Sequence, residues 1–168
     1  MQRRDANGIP TIQGSIPLAW FGLGLVIALA IAPIGVVSEL LFAARGVDEV
    51  GDSLPPDWRR MLGVVGVLEL MLLVLVAATA YQFFRRRRMA PRMIIATILA
   101  SIAAAVVDAV WRISFAPGDA EYIAEVVAPL APSIPFQLTW MVYFIVSKRV
   151  KETFVYPLSD SAPAVALS

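Results

Sequence analysis

The feature that most constrains this chain is the grouping of its apolar residues into long continuous blocks, set apart by short segments that hold nearly all the charge. The first block runs from Ile16 to Ala44, the second from Met61 to Phe84 and the third from Pro91 to Phe115. A shorter fourth begins at Ile134. A backbone in hydrocarbon must satisfy its own N–H and C=O groups, so such blocks read as transmembrane helices or as strands of a closed barrel. A barrel needs alternating lipid-facing and lumen-facing residues, and these blocks are continuous. The expected fold class is therefore all-α: a polytopic membrane four-helix bundle. Composition agrees, with 59% hydrophobic and 16% charged residues against roughly 45–50% and 25% in soluble domains.

Along the chain, residues 1–15 are polar and contain Gly8, Pro10 and Gly14, which reads as a short flexible tail. Arg3 and Arg4 before an apolar run resemble a signal peptide, but the run from Pro17 to Ala44 is 28 residues, against about 7–15 for a signal core. Residues 16–156 then form one transmembrane domain, with helices expected at about 16–44, 61–84, 91–115 and 134–154. Pro33 marks a kink in the first helix. Trp20 fits an interfacial anchor. Pro91 opens the third helix, where a missing N–H costs little. Residues 45–60 form a first loop and 116–133 a second. In the second, Ile123, Val126, Val127 and Leu130 at helical spacing predict a short interfacial helix. The fourth apolar stretch is short for a span before Lys148. It either recruits Val126 to Pro132 through a proline kink or sits where the membrane thins. Residues 157–168 read as a disordered tail.

Orientation comes from the basic residues. With four crossings, ten of the fourteen Lys and Arg fall on one side: Arg3 and Arg4, the run Arg85, Arg86, Arg87, Arg88 with Arg92, and Lys148, Arg149 and Lys151. Basic loops stay cytoplasmic, so both termini are expected inside. The arginine run reads as a topology and headgroup anchor rather than a nucleic-acid site. The opposite loops carry seven acidic residues, from Asp48 to Glu125.

A charge near the bilayer centre costs at least about 2.5–3.5 kcal/mol, so charged residues in spans normally face the bundle interior. Glu39, Glu69, Asp108 and Arg112 lie within or at the edges of the spans, and helical rise places all four, with Gln137, in the outer half of the membrane. Asp108 and Arg112 are i,i+4 neighbours on one face. The cluster either glues the helices in register or lines a polar cavity for a ligand, ion or proton.

The stretch from Trp140 to Phe154 is distinctive: Trp140, Tyr143, Phe144, Ser147, Arg149, Val150, Thr153 and Phe154 sit in a W-x-x-Y-F-x-x-S-x-R-V-x-x-T-F pattern. It resembles the C-terminal signature of the bacterial inner-membrane family called domain of unknown function 2569. That resemblance implies a small four-helix inner-membrane protein and carries no activity with it. Physically, Ser147 could bond back to a carbonyl at the helix end, and Val150 with Phe154 could return the chain to the interface. The stretch reads as a membrane-exit anchor or as a docking patch.

With no Cys and no His, disulfide, thiolate, zinc-thiolate and imidazole-metal sites are excluded. No hydrolase, Walker or zincin motif is present. The expectation is no enzyme, no cofactor and no nucleic-acid partner. The partners expected are the lipid bilayer and another membrane protein or a second copy. The leading function is an accessory or scaffold subunit. The alternative is a small transporter or lipid- and ligand-binding bundle built on the polar cluster around Glu69.

Overall fold

The computed structural model describes residues 4–45, 56–115 and 118–155, without the side chains of 39–40, 42–45, 56–59, 61–62 and 115. The expected first loop and closing tail lie mostly or wholly outside the described residues. Among those described there are six helices and no strand: α1 (Ile16–Arg45), α2 (Pro56–Phe84), α3 (Ala90–Phe115), α4 (Ala120–Val127), α5 (Leu130–Val146) and α6 (Lys148–Thr153). Four stretches are long and apolar enough to cross a membrane: Ile16–Ser38, Gly63–Phe84, Ala90–Ser114 and Ala120–Val146. Large apolar side chains such as Ile34, Val74, Val110 and Val146 stay exposed along their outer faces. In water that surface would drive association; in a bilayer it is the lipid contact.

The fourth span differs from the short helix expected from Ile134. It runs 27 residues, from Ala120 to Val146, because the backbone stays helical where α4 meets α5. Ala128 has φ −52°, ψ −41°, and Pro129 has φ −66°, ψ −26°. Pro132 falls in the first turn of α5, where its missing N–H breaks no bond. The kinked extension is thus the form adopted, and it absorbs the predicted interfacial helix. At the other end the span stops earlier than residue 154. Val146 closes α5, Ser147 turns extended, and α6 is a separate helix.

α1 packs along α2, α2 along α3, and α3 along α5, with α4 against α3. No extended backbone contact joins α1 to α5. The four spans therefore form a curled row whose edge helices, α1 and α5, meet through side chains. α1 continues through Pro33.

Asp5 and Val155, near the two ends of the described residues, meet the α2–α3 turn at one end of the row, the terminal end. That turn is tight. Arg86 takes φ +52°, its N–H donates to the Phe83 carbonyl, and the Arg87 N–H donates to the Gln82 carbonyl. This is the Schellman closure of a helix, with arginine at a position usually given to glycine. Left-handed backbone costs a non-glycine residue about 1–2 kcal/mol. What offsets it here is an ion pair from Arg86 Nη1 to Asp5 Oδ2 at 2.7 Å.

The N-terminal segment expected to be a flexible tail is ordered from residue 4. Asp5 Oδ1 accepts the N–H groups of Asn7 and Ile9, Arg4 bonds the Gly8 carbonyl, and a short 3-10 turn at Ile12–Gly14 leads into α1. The hydrogen bond from Arg86 and then the Ile9 N–H hold the Asp5 carboxyl below the usual carboxylate range. A lowered folded pKa stabilises above the ordinary carboxylate value, and that contribution is lost as pH falls through the folded value. The segment is therefore expected to be held at neutral pH and to loosen below about pH 4, and Asp5→Asn should loosen it at both. Amide exchange at Asn7 and Ile9, corrected for intrinsic rate, checks this; protection unchanged between neutral pH and pH 3 would contradict it.

Candidate functional site

The residues of the expected polar cluster are placed in different surroundings. Asp108 and Arg112 pair as their spacing predicts, Arg112 Nε donating to Asp108 Oδ2 at 2.8 Å. They line a groove of about 360 Å³ between α3, α4 and α5, together with Tyr122 and Glu125. Their side chains are 32% and 37% exposed, which weakens the pair toward surface strength. Asp108 Oδ1 is buried with no hydrogen-bond partner. Glu69 is half-buried on α2 and lines neither this groove nor the cavity described next. The Glu39 side chain lies outside the described residues. Gln137 is separated from Asp108 because the fourth span starts at Ala120 rather than Ile134. That shift sets Gln137 nine residues, ~14 Å, from the terminal end of α5.

Gln137 instead lines a cavity of about 550 Å³, open on one side, which draws on α1, α2, α3 and α5. Trp20, Phe21, Phe136 and Trp140 form its aromatic side, and Thr79, Thr97 and Ser101 its polar floor. Trp20 and Phe136 are 66% and 65% exposed; they flank the side where α1 and α5 lack close backbone packing. Below them the two helices are bridged by rings: Phe21 lies 4.9 Å from Trp140 and 4.7 Å from Phe144 between centroids. Gly24 also lines the cavity, and a Cβ added there would meet nothing within 4 Å.

The floor has a definite hydrogen-bond direction. Thr79 Oγ1 and Thr97 Oγ1 are 2.7 Å apart, and Thr97 Oγ1 donates to the Met93 carbonyl at 2.8 Å. A hydroxyl has one proton, so Thr79 is the donor of the pair. Thr97→Val removes the acceptor of a buried hydroxyl and is expected to cost about 0.6–1.7 kcal/mol. Thr79→Val should cost less, since Thr97 keeps Met93, and the double variant should be no worse than Thr97→Val. Thermal unfolding in detergent reads the order; a costlier Thr79→Val would contradict the proton assignment. Sequence reading missed these hydroxyls because Ser and Thr pass unnoticed in a span, each able to bond its own helix.

The C-terminal signature is used inside the protein. Phe144, Val150, Thr153 and Phe154 are buried, and Phe154 lies 5.3 Å from Phe83 between ring centroids. Ser147 Oγ accepts the Val150 N–H at 3.5 Å. It starts α6 instead of bonding back to a carbonyl, and the back-bond in this region comes from Thr153 to the Arg149 carbonyl. Val150, Thr153 and Phe154, at i, i+3 and i+4, give α6 one inward face. Arg149 remains exposed. The arginine run is likewise engaged internally: Arg85 lies over the Tyr81 ring at 5.5 Å, Arg87 is buried, and Arg88 Nε donates to the Val155 carbonyl at 2.7 Å. Together these close the terminal end beneath the cavity.

The sequence profile described as protein of unknown function (DUF2569) matches residues 17–155. The chain belongs to the DUF2569 family. The DUF2569 match begins one residue into α1 and ends at Val155, the residue that Arg88 holds. It therefore takes in the cavity, the arginine turn and α6, while the N-terminal turn around Asp5 lies outside it. The Trp140–Phe154 stretch that carried the resemblance falls within it. No match was found among curated proteins or among solved structures.

Proposed function

We propose that this integral membrane protein is a binding bundle of the bacterial inner membrane, its terminal end in the cytoplasm, which holds an apolar molecule drawn sideways from the bilayer. The observation that carries this is the 550 Å³ cavity beside the open α1–α5 seam. Its volume lies within the ~300–1,000 Å³ of small-molecule sites. Its lining is overwhelmingly apolar, which favours hydrocarbon over water as the filling.

The test uses native mass spectrometry of protein purified in mild detergent. One apolar molecule per chain is expected to be retained. Gly24→Phe, which fills the cavity where there is room for a side chain, should lose it. Val110→Phe, on the exposed face of α3, should keep it. Retention by Gly24→Phe equal to wild type would overturn the proposal.

The accessory-subunit reading competes for the same wall, since Gly24 and Ala28 also line the cavity. Gly24, Ala28 and Gly35 share a face of α1, and nothing lies within 4 Å of a Cβ at Gly24 or Gly35. Small residues in such a row let a second helix approach closely. Elution as a lone monomer from mild detergent would count against it.

A further inference from the structure

Resting on that binding role, we infer that the ligand is an uncharged single-chain lipid with a hydroxyl-bearing head, its head at Ser101 and Gln137 and its chain against the aromatic side. Charge is the first discriminator. No Lys, Arg, Asp or Glu lines the cavity, so a carboxylate or phosphate inside it would be a desolvated ion with no counter-charge, a cost of several kcal/mol.

Hydrogen-bond capacity is the second. Thr79 is fully buried and spends its proton on Thr97, so it belongs to the wall behind the cavity and not to the head site. Ser101 and Gln137 have no hydrogen-bond partner among the described residues. Ser101 brings a donor and an acceptor, and the Gln137 amide brings both as well. A ketone or ester head accepts only and leaves the Ser101 and Gln137 oxygens without a donor. A hydroxyl both donates and accepts, and a glycerol head supplies two of them. Size is the third discriminator. A volume of 550 Å³ suits one chain with a small head, not a two-chain phospholipid.

The route follows from the same geometry. Ser101 lies on α3, away from the seam, while Trp20 and Phe136 flank the seam. A lipid entering head first between α1 and α5 brings its hydroxyls to the floor and leaves its tail toward the bilayer.

The experiment titrates delipidated protein in detergent with monooleoylglycerol, oleate at pH 8 and 1-octadecene, read by native mass spectrometry. Monooleoylglycerol is expected to bind one per chain, at least tenfold tighter than either other probe, about the worth of one hydrogen bond to the head. Ser101→Ala with Gln137→Leu should bring monooleoylglycerol down to the level of octadecene. Ser101→Ala alone, a smaller change, should lose several-fold and serves if the double variant does not fold. Equal binding of octadecene and monooleoylglycerol, or tighter binding of oleate, would overturn the inference while leaving a hydrocarbon site in place. Binding of no probe, or binding of all probes undiminished in Gly24→Phe, would remove the cavity reading itself.

Discussion

Phe83→Ala is expected to be the most damaging single truncation in this chain, at about 3–5 kcal/mol. Phe83 is fully buried. Its ring lies 5.7 Å from Phe21, 5.3 Å from Phe84 and 5.3 Å from Phe154 between centroids. It thus joins α1, the end of α2 and the segment after α6 at one point. Aromatic pairs of this kind add about 0.5–1.5 kcal/mol each beyond burial. The surrounding rings sit on three separate elements, so the gap cannot collapse by moving one of them. Unfolding in detergent should begin from a lowered midpoint, and protease should cut near Val150 before any loss of helical signal. A midpoint shift no larger than that of a lipid-facing truncation such as Val110→Ala would show that the terminal end is not the keystone of the packing.

The second large effect is expected at Gly22. A Cβ there would stand 2.9 Å from Phe83 Cε1 and 3.5 Å from Phe84 Cε1, which brings α1 and α2 together more closely than any side chain allows. Replacing an interior helical glycine by alanine gains about 0.8–1 kcal/mol of helix propensity, and forcing a packed ring aside costs about 1–3 kcal/mol. Gly22→Ala should therefore come out slightly destabilising. Gly22→Leu, with three further carbons, should lose 3 kcal/mol or more as the helices part. Gly24→Ala, two positions on and facing open space, should gain up to about 1 kcal/mol. Thermal midpoints of the three variants in one detergent check the pattern. A stable Gly22→Leu would mean that the α1–α2 seam is looser than its contacts indicate.

Much of this architecture is legible in the residues because a bilayer imposes a local rule. Each span must be long and apolar by itself, so α1, α2 and α3 can be read one at a time, with the boundary at Phe84 agreeing to the residue and that at Phe115 likewise. The fourth span obeys a different logic. Pro129, Pro132 and Pro135 argue for a break when read as a string, since proline removes a donor. In the helix two of them fall at or before the first turn of α5, where no donor is needed, so the chain stays helical and the span begins at Ala120 rather than Ile134. That change also moves Gln137 away from the level of Asp108.

The Asp108–Arg112 pair was readable because i,i+4 neighbours meet on any helix. The cavity was not, because its floor is made of Thr79, Thr97 and Ser101 on two helices and its mouth of Trp20 and Phe136 on two others. Nothing in any one segment marks those residues as neighbours. The W-x-x-Y-F to T-F pattern was visible as a pattern, and its purpose was not. Only folding shows that Ser147 starts a new helix and that Val150 and Phe154 turn inward onto Phe83.

By itself, then, the sequence determined that this is an all-helical membrane protein with four spans, and it carried the family signature in its last helical residues. Those are properties of single segments, set by hydrocarbon solvation and helix period. Tertiary structure alone decided that α1 and α5 leave a side open, that the arginine turn and the N-terminal segment clasp the terminal end, and that neutral hydroxyls rather than charges face the cavity. These depend on distances between segments far apart in the chain, which side-chain packing sets and no local pattern encodes.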